Sequence, residues 1–137
     1  MKISYCGDDF AGYQRQPGKR TVQSELENAI KVVFGEDIVT YASGRTDAGV
    51  HAYGQMVHFD SEQVKEFAPL LYSINSLLPH DVKVTHITDG GDIHARYSAK
   101  HKTYIKEIAG TDENRNTSAN TLRNIVACSS ICQIPSK

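Results

Sequence analysis

No apolar run in the sequence exceeds a few residues, far short of the ~20 that a helical membrane span needs. The N-terminus, Met1-Lys2-Ile3-Ser4-Tyr5, lacks the apolar core of a signal peptide, so the chain reads as intracellular and cytoplasmic. Cysteine is scarce: Cys6, Cys128 and Cys132 make an odd count that excludes a disulfide scaffold. Cys128 and Cys132 have no second pair and no nearby histidine, and His51 and His58 lack ligand spacing, so no metal is expected. There is no glycine-rich phosphate loop ending in Lys-Ser/Thr, no dinucleotide fingerprint and no Gly-x-Ser-x-Gly elbow. No internal repeat is visible. Excess charge is missing too: 15 basic against 16 acidic residues give a net −1. Any affinity for polyanions must therefore come from where the bases sit.

What is present suits one ordinary globular domain of 137 residues, 39% hydrophobic and 23% charged. Residues 2–6 read as a first strand, followed by a glycine-rich polar loop over 7–20 that ends in Arg15, Lys19 and Arg20, a candidate phosphate-contacting cluster. Thr21 caps a helix whose apolar face is Val22, Leu26, Ala29, Ile30 and Val33, with Glu25 near its positive end and Gly35 closing it. Strands are expected over 37–43 and 53–60. A second helix fits 63–78 on the face of Val64, Phe67, Leu70, Leu71, Ile74, Leu77 and Leu78, begun or kinked at Pro69 and stopped by Pro79. Residues 81–88 alternate as a strand, and 93–98 and 102–108 read as two further extended segments. The order β-α-β-β-α-β predicts an α+β, ferredoxin-like antiparallel sheet with two helices on one face. The domain spans 1–109. Residues 110–137 form a polar linker or tail in which Leu122, Ile125 and Val126 would make one short helix.

The chemistry concentrates in Ser43-Gly44-Arg45-Thr46-Asp47-Ala48-Gly49-Val50-His51-Ala52, a loop between strand-like segments. One carboxylate beside a guanidinium is expected to stay ionised, which suits a nucleophile or general base rather than a proton donor. Glycosidic chemistry uses carboxylates to trap an electron-poor sugar carbon. No second acid shares the loop, and Asp8 and Asp9 read as turn or capping residues. Arg96, Lys100, His101 and Lys102 alternate with Tyr97 and Tyr104, a pattern that fits either a base-stacking surface or an amphipathic edge strand.

Gly44-Arg45-Thr46-Asp47-Ala48-Gly49-Val50-His51-Ala52 resembles the signature of the tRNA pseudouridine synthase TruA family. Four further stretches agree in order. Residues 7–16 are similar to that family's "YDGxxFxGWQxQ", and Thr21-Val22-Gln23-Ser24-Glu25-Leu26-Glu27 to its "(S/T)VQxxLE". Gly54-Gln55-Met56-Val57-His58-Phe59 is similar to "GQVxHF", and His94-Ala95-Arg96-Tyr97-Ser98-Ala99 with Lys102-Thr103-Tyr104 to "FHARFSA…KxYxY". The resemblance covers about residues 1–108.

It implies a cofactor-free isomerase acting on tRNA, converting uridine to pseudouridine in the anticodon stem-loop at positions 38 to 40. Asp47 matches the catalytic aspartate, attacking either ribose C1′ or uracil C6. Tyr104 matches the tyrosine that stacks on the target base and helps remove the C5 proton, and Arg45 the arginine that holds the extruded nucleotide. Because the base must leave its stack, phosphate contacts are expected from Arg15, Lys19, Arg20 and Lys102. Cys6 stands where the family has aspartate, Tyr13 where it has tryptophan, and Lys106 where it has a second tyrosine. Family members carry a second, similar domain and form dimers. The resemblance thus leads to the expectation of a missing second domain and of a homodimer, with Arg123 the remnant of an arginine that pairs with the catalytic acid. The alternative expectation is an inactive single-domain fragment that binds RNA without turnover.

Overall fold

The computed structural model describes residues 1–92, 94–99, 103–107 and 123–127, the last two stretches as backbone only. The elements are β1 (Lys2–Tyr5), α1 (Val22–Phe34), β2 (Tyr41–Ala42), β3 (His51–His58), α2 (Phe67–Leu77), β4 (Val82–His86), α3 (Ala95–Ser98), β5 (Thr103–Glu107) and β6 (Arg123–Ala127). The sheet runs β4-β1-β3-β6-β5, with β2 paired to β3 beside this path. Every pairing is antiparallel except β3 with β6, which is parallel.

The alternation of β1 sends Ile3 and Tyr5 to one face, and β4 sends Val82 and Val84 to the same core. Onto that face α1 lays Val22, Leu26 and Ile30, and α2 lays Leu70 and Ile74, so both helices cover one side of the sheet. Each such side chain, sealed from water, contributes roughly 1.5–3 kcal/mol. The result is the α+β architecture that the element order predicts. Among the described residues no helix is long and apolar enough to cross a membrane.

α1 starts and stops where its caps dictate. Thr21 Oγ1 accepts from the Ser24 amide while Ser24 Oγ accepts from Thr21, a reciprocal box, and Gly35 ends the helix by donating to Lys31 O at 2.8 Å. α2 begins later than its apolar pattern suggests. Pro69 occupies the first turn, where its missing amide proton is not needed, and upstream Val64 is fully exposed. Phe67 and Leu77 also stay half exposed, so the buried stripe narrows to Leu70 and Ile74.

Four expectations are corrected. The strand predicted over 37–43 shrinks to Tyr41–Ala42, because the Thr40 backbone is taken by α1: its N–H donates to Glu27 Oε1 at 2.9 Å and its carbonyl accepts from Gln23 Nε2 at 3.0 Å. With both groups satisfied by side chains, no ladder forms there. Within 93–98, expected extended, Ala95–Ser98 is a helical turn, nucleated by His94, whose carbonyl accepts from Tyr97 and Ser98. In the tail a strand, β6, stands where one short helix is expected, as suits branched Ile125 and Val126, paired with His51 and Ala52 respectively. β3 begins at His51 rather than Tyr53 and carries a bulge: pairing jumps from Ile3↔Gln55 to Tyr5↔Ala52, and Gly54, at φ 74°, absorbs the extra residue. Its amide donates to Ser4 Oγ at 3.1 Å.

Candidate functional site

The loop from Ser43 to Val50 leaves β2 and runs back alongside β3. Ser43 N–H still bonds Met56 O at 2.8 Å, and the fully buried Gln55 then takes over, its side-chain amide donating to Gly44 O. Arg45 and Asp47 point into solvent while Thr46 between them is buried. Thr46 is the anchor. Its hydroxyl shares a 2.7 Å hydrogen bond with the Tyr5 phenol of β1, and its carbonyl accepts from Tyr13 N at 3.0 Å. Burial pushes the Tyr5 phenol up to about 12, so it stays protonated as a hydrogen-bonding partner at every physiological pH. After Asp47 the loop turns back on itself, Val50 N donating to Asp47 O at 3.2 Å.

The second half of the scaffold is the glycine-rich loop after β1. Phe10 O accepts from Gly49 N at 3.4 Å. Gly12 sits at φ 104°, and a β-carbon there would lie 2.9 Å from Thr46 O and 3.5 Å from both Ala48 N and the Asp47 carbonyl carbon. A β-carbon on Gly7 would collide with the Val50 carbonyl. These two glycines let one backbone lie directly on the other, so the acid is presented by two crossed loops rather than one.

His51 closes the join. Gly7 N–H donates to its Nδ1 at 3.2 Å, its Nε2 faces Asp8 Oδ1 at 3.4 Å, and the Cys6 thiol donates to Asp8 Oδ2 at 3.3 Å. Cys6, Asp8 and His51 thus bring three potential metal-ligating atoms within 4.8 Å of one another. The donor set argues against an ion. With Nδ1 accepting the Gly7 proton, the neutral ring carries its own proton on Nε2, the nitrogen a metal would need. The trio reads as a hydrogen-bonded chain tying β1 to the start of β3, and Asp8 is a partner for His51 rather than a mere turn residue.

The expected site residues separate on inspection. Arg45 and Asp47 flank Thr46 but, among the described residues, form no ion pair with each other. Arg15 donates to the nearly buried Glu27 at 2.9 Å. Arg20 grips Asp81 with two hydrogen bonds, at 2.8 and 2.9 Å, and lies 4.1 Å from the centre of the Phe10 ring. That clamp holds the Asp81 carboxyl below its usual range and raises the guanidinium. Both arginines therefore have structural duties, whereas Lys19 is exposed at the loop tip. Tyr104 stands on β5, paired in register with Val126, and its side chain lies outside the described residues, as does that of Arg123 on β6. Lys102 lies outside them too, as do Lys100, His101, Cys128 and Cys132.

Sequence reasoning passed over Thr46 and Glu27. Glu27 accepts from Thr40 N and Oγ1, Gln23 and Arg15, and so fastens the segment leading into the loop to α1. The signal for it was an acid on the inner face of an amphipathic helix.

A family model described as tRNA pseudouridine synthase matches residues 1–98. Among similar proteins, tRNA pseudouridine synthase A of Dictyoglomus thermophilum is 50% identical over 116 residues, covering 82% of this chain and 47% of its own length. Proteins of the same name from Halalkalibacterium halodurans and Streptococcus agalactiae are 51% and 46% identical, covering 76% and 75% of this chain and 40% and 41% of their own lengths. The chain spans somewhat under half the length of the relatives it matches.

Proposed function

From that match, which makes the chain a member of the tRNA pseudouridine synthase family, we propose that it takes part in isomerising uridine to pseudouridine in tRNA, with Asp47 as the nucleophile. The observation that carries this reading is the presentation of Asp47: an exposed carboxylate on a loop bolted down at Gly44, Thr46, Gly49 and Val50, inside the matched span. Rigid placement matters because the acid must meet one carbon of an extruded nucleotide, and positioning accounts for a large share of such rate enhancement.

In this reading the uridine of the anticodon stem-loop swings out of its stack towards Asp47. The carboxylate attacks ribose C1′ or uracil C6, the bond from C1′ to N1 breaks, and the uracil turns. C5 then bonds to C1′, the C5 proton leaves, N1 gains a proton from solvent and the carboxylate is regenerated, so no cofactor is consumed. Arg45, exposed beside Asp47, would hold the nucleotide's phosphate, and Tyr104 would stack on the base and assist loss of the C5 proton. Lys19 and Lys102 would add phosphate contacts. Arg15 and Arg20 would do so only with the charge left over from Glu27 and Asp81. The reading carries with it a cytoplasmic site of action and a homodimer.

Tritium release from tRNA labelled at uridine C5 tests it. Release by the wild-type chain that is lost in Asp47→Ala supports the assignment; equal release by both sinks it. A second reading is a chain that binds RNA without turnover. Binding of an anticodon stem-loop without tritium release would select this second reading.

A further inference from the structure

The C-terminal end of β3 carries a cluster of rings for which attack by Asp47 has no use. His58 stacks on Tyr41 of β2 with centroids 5.0 Å apart and meets His94 edge-on at 4.2 Å, and His94 leans on Tyr97 of α3 at 4.6 Å. Two ring nitrogens act as acceptors. His58 Nδ1 takes the Ala95 amide proton at 3.0 Å, and His94 Nδ1 takes that of Arg96 at 3.3 Å. Both bonds require an unprotonated nitrogen, because an imidazolium offers only donors.

α3 is one turn, too short to persist by itself. Among the described residues its hold on the sheet includes the buried Ala95 methyl, the Ala95 bond to His58 and the ring contacts, with Ala99 just after it in a β-bridge. Just beyond it the chain enters β5 at Thr103, with Tyr104 next in line.

We infer that His58 and His94 are positioning residues which, through their accepting Nδ1 atoms, dock α3 on the β2–β3 hairpin and set where the chain enters β5, and that protonating His58 undocks it. The importance attached to Tyr104 rests on the proposed function; the docking itself does not.

The charges around His58 come from every neighbouring element. His94 on the α3 side and the Met1 amino group beside β1 oppose a proton on His58, while Asp60 after β3 and the Tyr41 backbone favour one. Arg96, whose guanidinium lies 5.9 Å from the Tyr97 ring, adds a further positive charge on α3. Burial is the largest influence, followed by His94, and the ring is held below its ordinary value. With the folded value depressed, the undocked state binds more protons between that value and about 6.5, so docking is fully present above about 6.5 and fades on acidification.

Ring and amide NMR of the full chain tests this without RNA. The His58 ring should titrate below about 6.5, and the Ala95 amide shift and the cross-peaks between the His58 and His94 rings should change with the same midpoint. In His58→Asn an amide oxygen replaces Nδ1, so the Ala95 amide shift and the α3 to β3 cross-peaks should persist from pH 7.5 to 5. In His58→Ala they should be absent throughout. His58 titrating at or above 6.5, α3 contacts surviving in wild type at pH 5, or α3 contacts surviving in His58→Ala would each overturn the inference. If His58→Ala does not fold, the comparison of wild type with His58→Asn decides alone. A chain without isomerase activity would leave these resonances as they are, so the two proposals fail separately.

Discussion

Replacing Gly12 by alanine places a methyl carbon 2.9 Å from the Thr46 carbonyl oxygen, on a backbone at φ 104°. Two costs combine. Holding a residue with a side chain in that region costs about 1–3 kcal/mol. The methyl must also push the Thr46 carbonyl away, weakening its bond from Tyr13 N–H by roughly 1 kcal/mol. Gly18→Ala is the matched control: its φ is also positive, at 67°, but nothing lies within 4 Å of the added carbon. It should lose only about 1–2 kcal/mol of backbone strain. In urea unfolding, Gly12→Ala should therefore fall about 1–2 kcal/mol below the control. The displaced carbonyl belongs to the residue preceding Asp47, so tritium release should drop as well, by up to ~100-fold for a shift approaching 1 Å. Gly18→Ala should leave turnover unchanged. Equal stability and equal turnover in the two variants would refute the claim that the crossed loops position the acid.

Asp47 is exposed and its carboxylate makes no hydrogen bond or ion pair among the described residues, so in Asp47→Asn stability should stay within ~0.5 kcal/mol while tritium release disappears; a large stability change would make Asp47 structural instead. Thr46→Val keeps the shape but removes the hydroxyl shared with Tyr5, leaving a buried phenol unpaired; a loss of about 1–2 kcal/mol in urea unfolding is expected, and none would mean that the bond is idle. Asp81 has a folded-state value depressed chiefly by its hydrogen bonds with Arg20, so it contributes stability above its unfolded value near 3.8 that is lost as pH falls through the lower folded value. Arg20 is about a third exposed, so solvent screening keeps this near ~1 kcal/mol. Melting temperatures from pH 5 to pH 2 should fall less steeply in Asp81→Asn than in wild type; parallel curves would deny the clamp its role.

Legibility in the sequence followed how local the deciding interaction was. α1 was readable end to end because its periodicity, Thr21 cap and Gly35 stop all act within a few residues. The loop carrying Asp47 was visible as a lone acid between glycines. Its anchor was not, since Thr46 is fixed by Tyr5 and Tyr13, more than 30 positions earlier in the chain. Residues 37–40 looked like strand from their branched side chains, yet Glu27 and Gln23 claimed the Thr40 backbone. α3 was misread for a similar reason: three of its amides are satisfied by His94 and a fourth by His58, neither visible in a period-two pattern. The basic cluster Arg15–Arg20 read as free charge because its partners, Glu27 and Asp81, lie in other elements.

The loop after β1 is packed at its base and exposed at its tip, and that contrast bears on how such a chain can change. Gly7, Phe10 and Gly12 touch the Asp47 loop, whereas Pro17, Gly18 and Lys19 are exposed, and a β-carbon built on Gly18 meets nothing within 4 Å. Extra residues spliced in at the tip would meet only solvent and, because closure entropy grows slowly with length, cost little. A single methyl at the base would be felt at once. The same loop thus offers a place where length can drift while the acid held at its base keeps its aim.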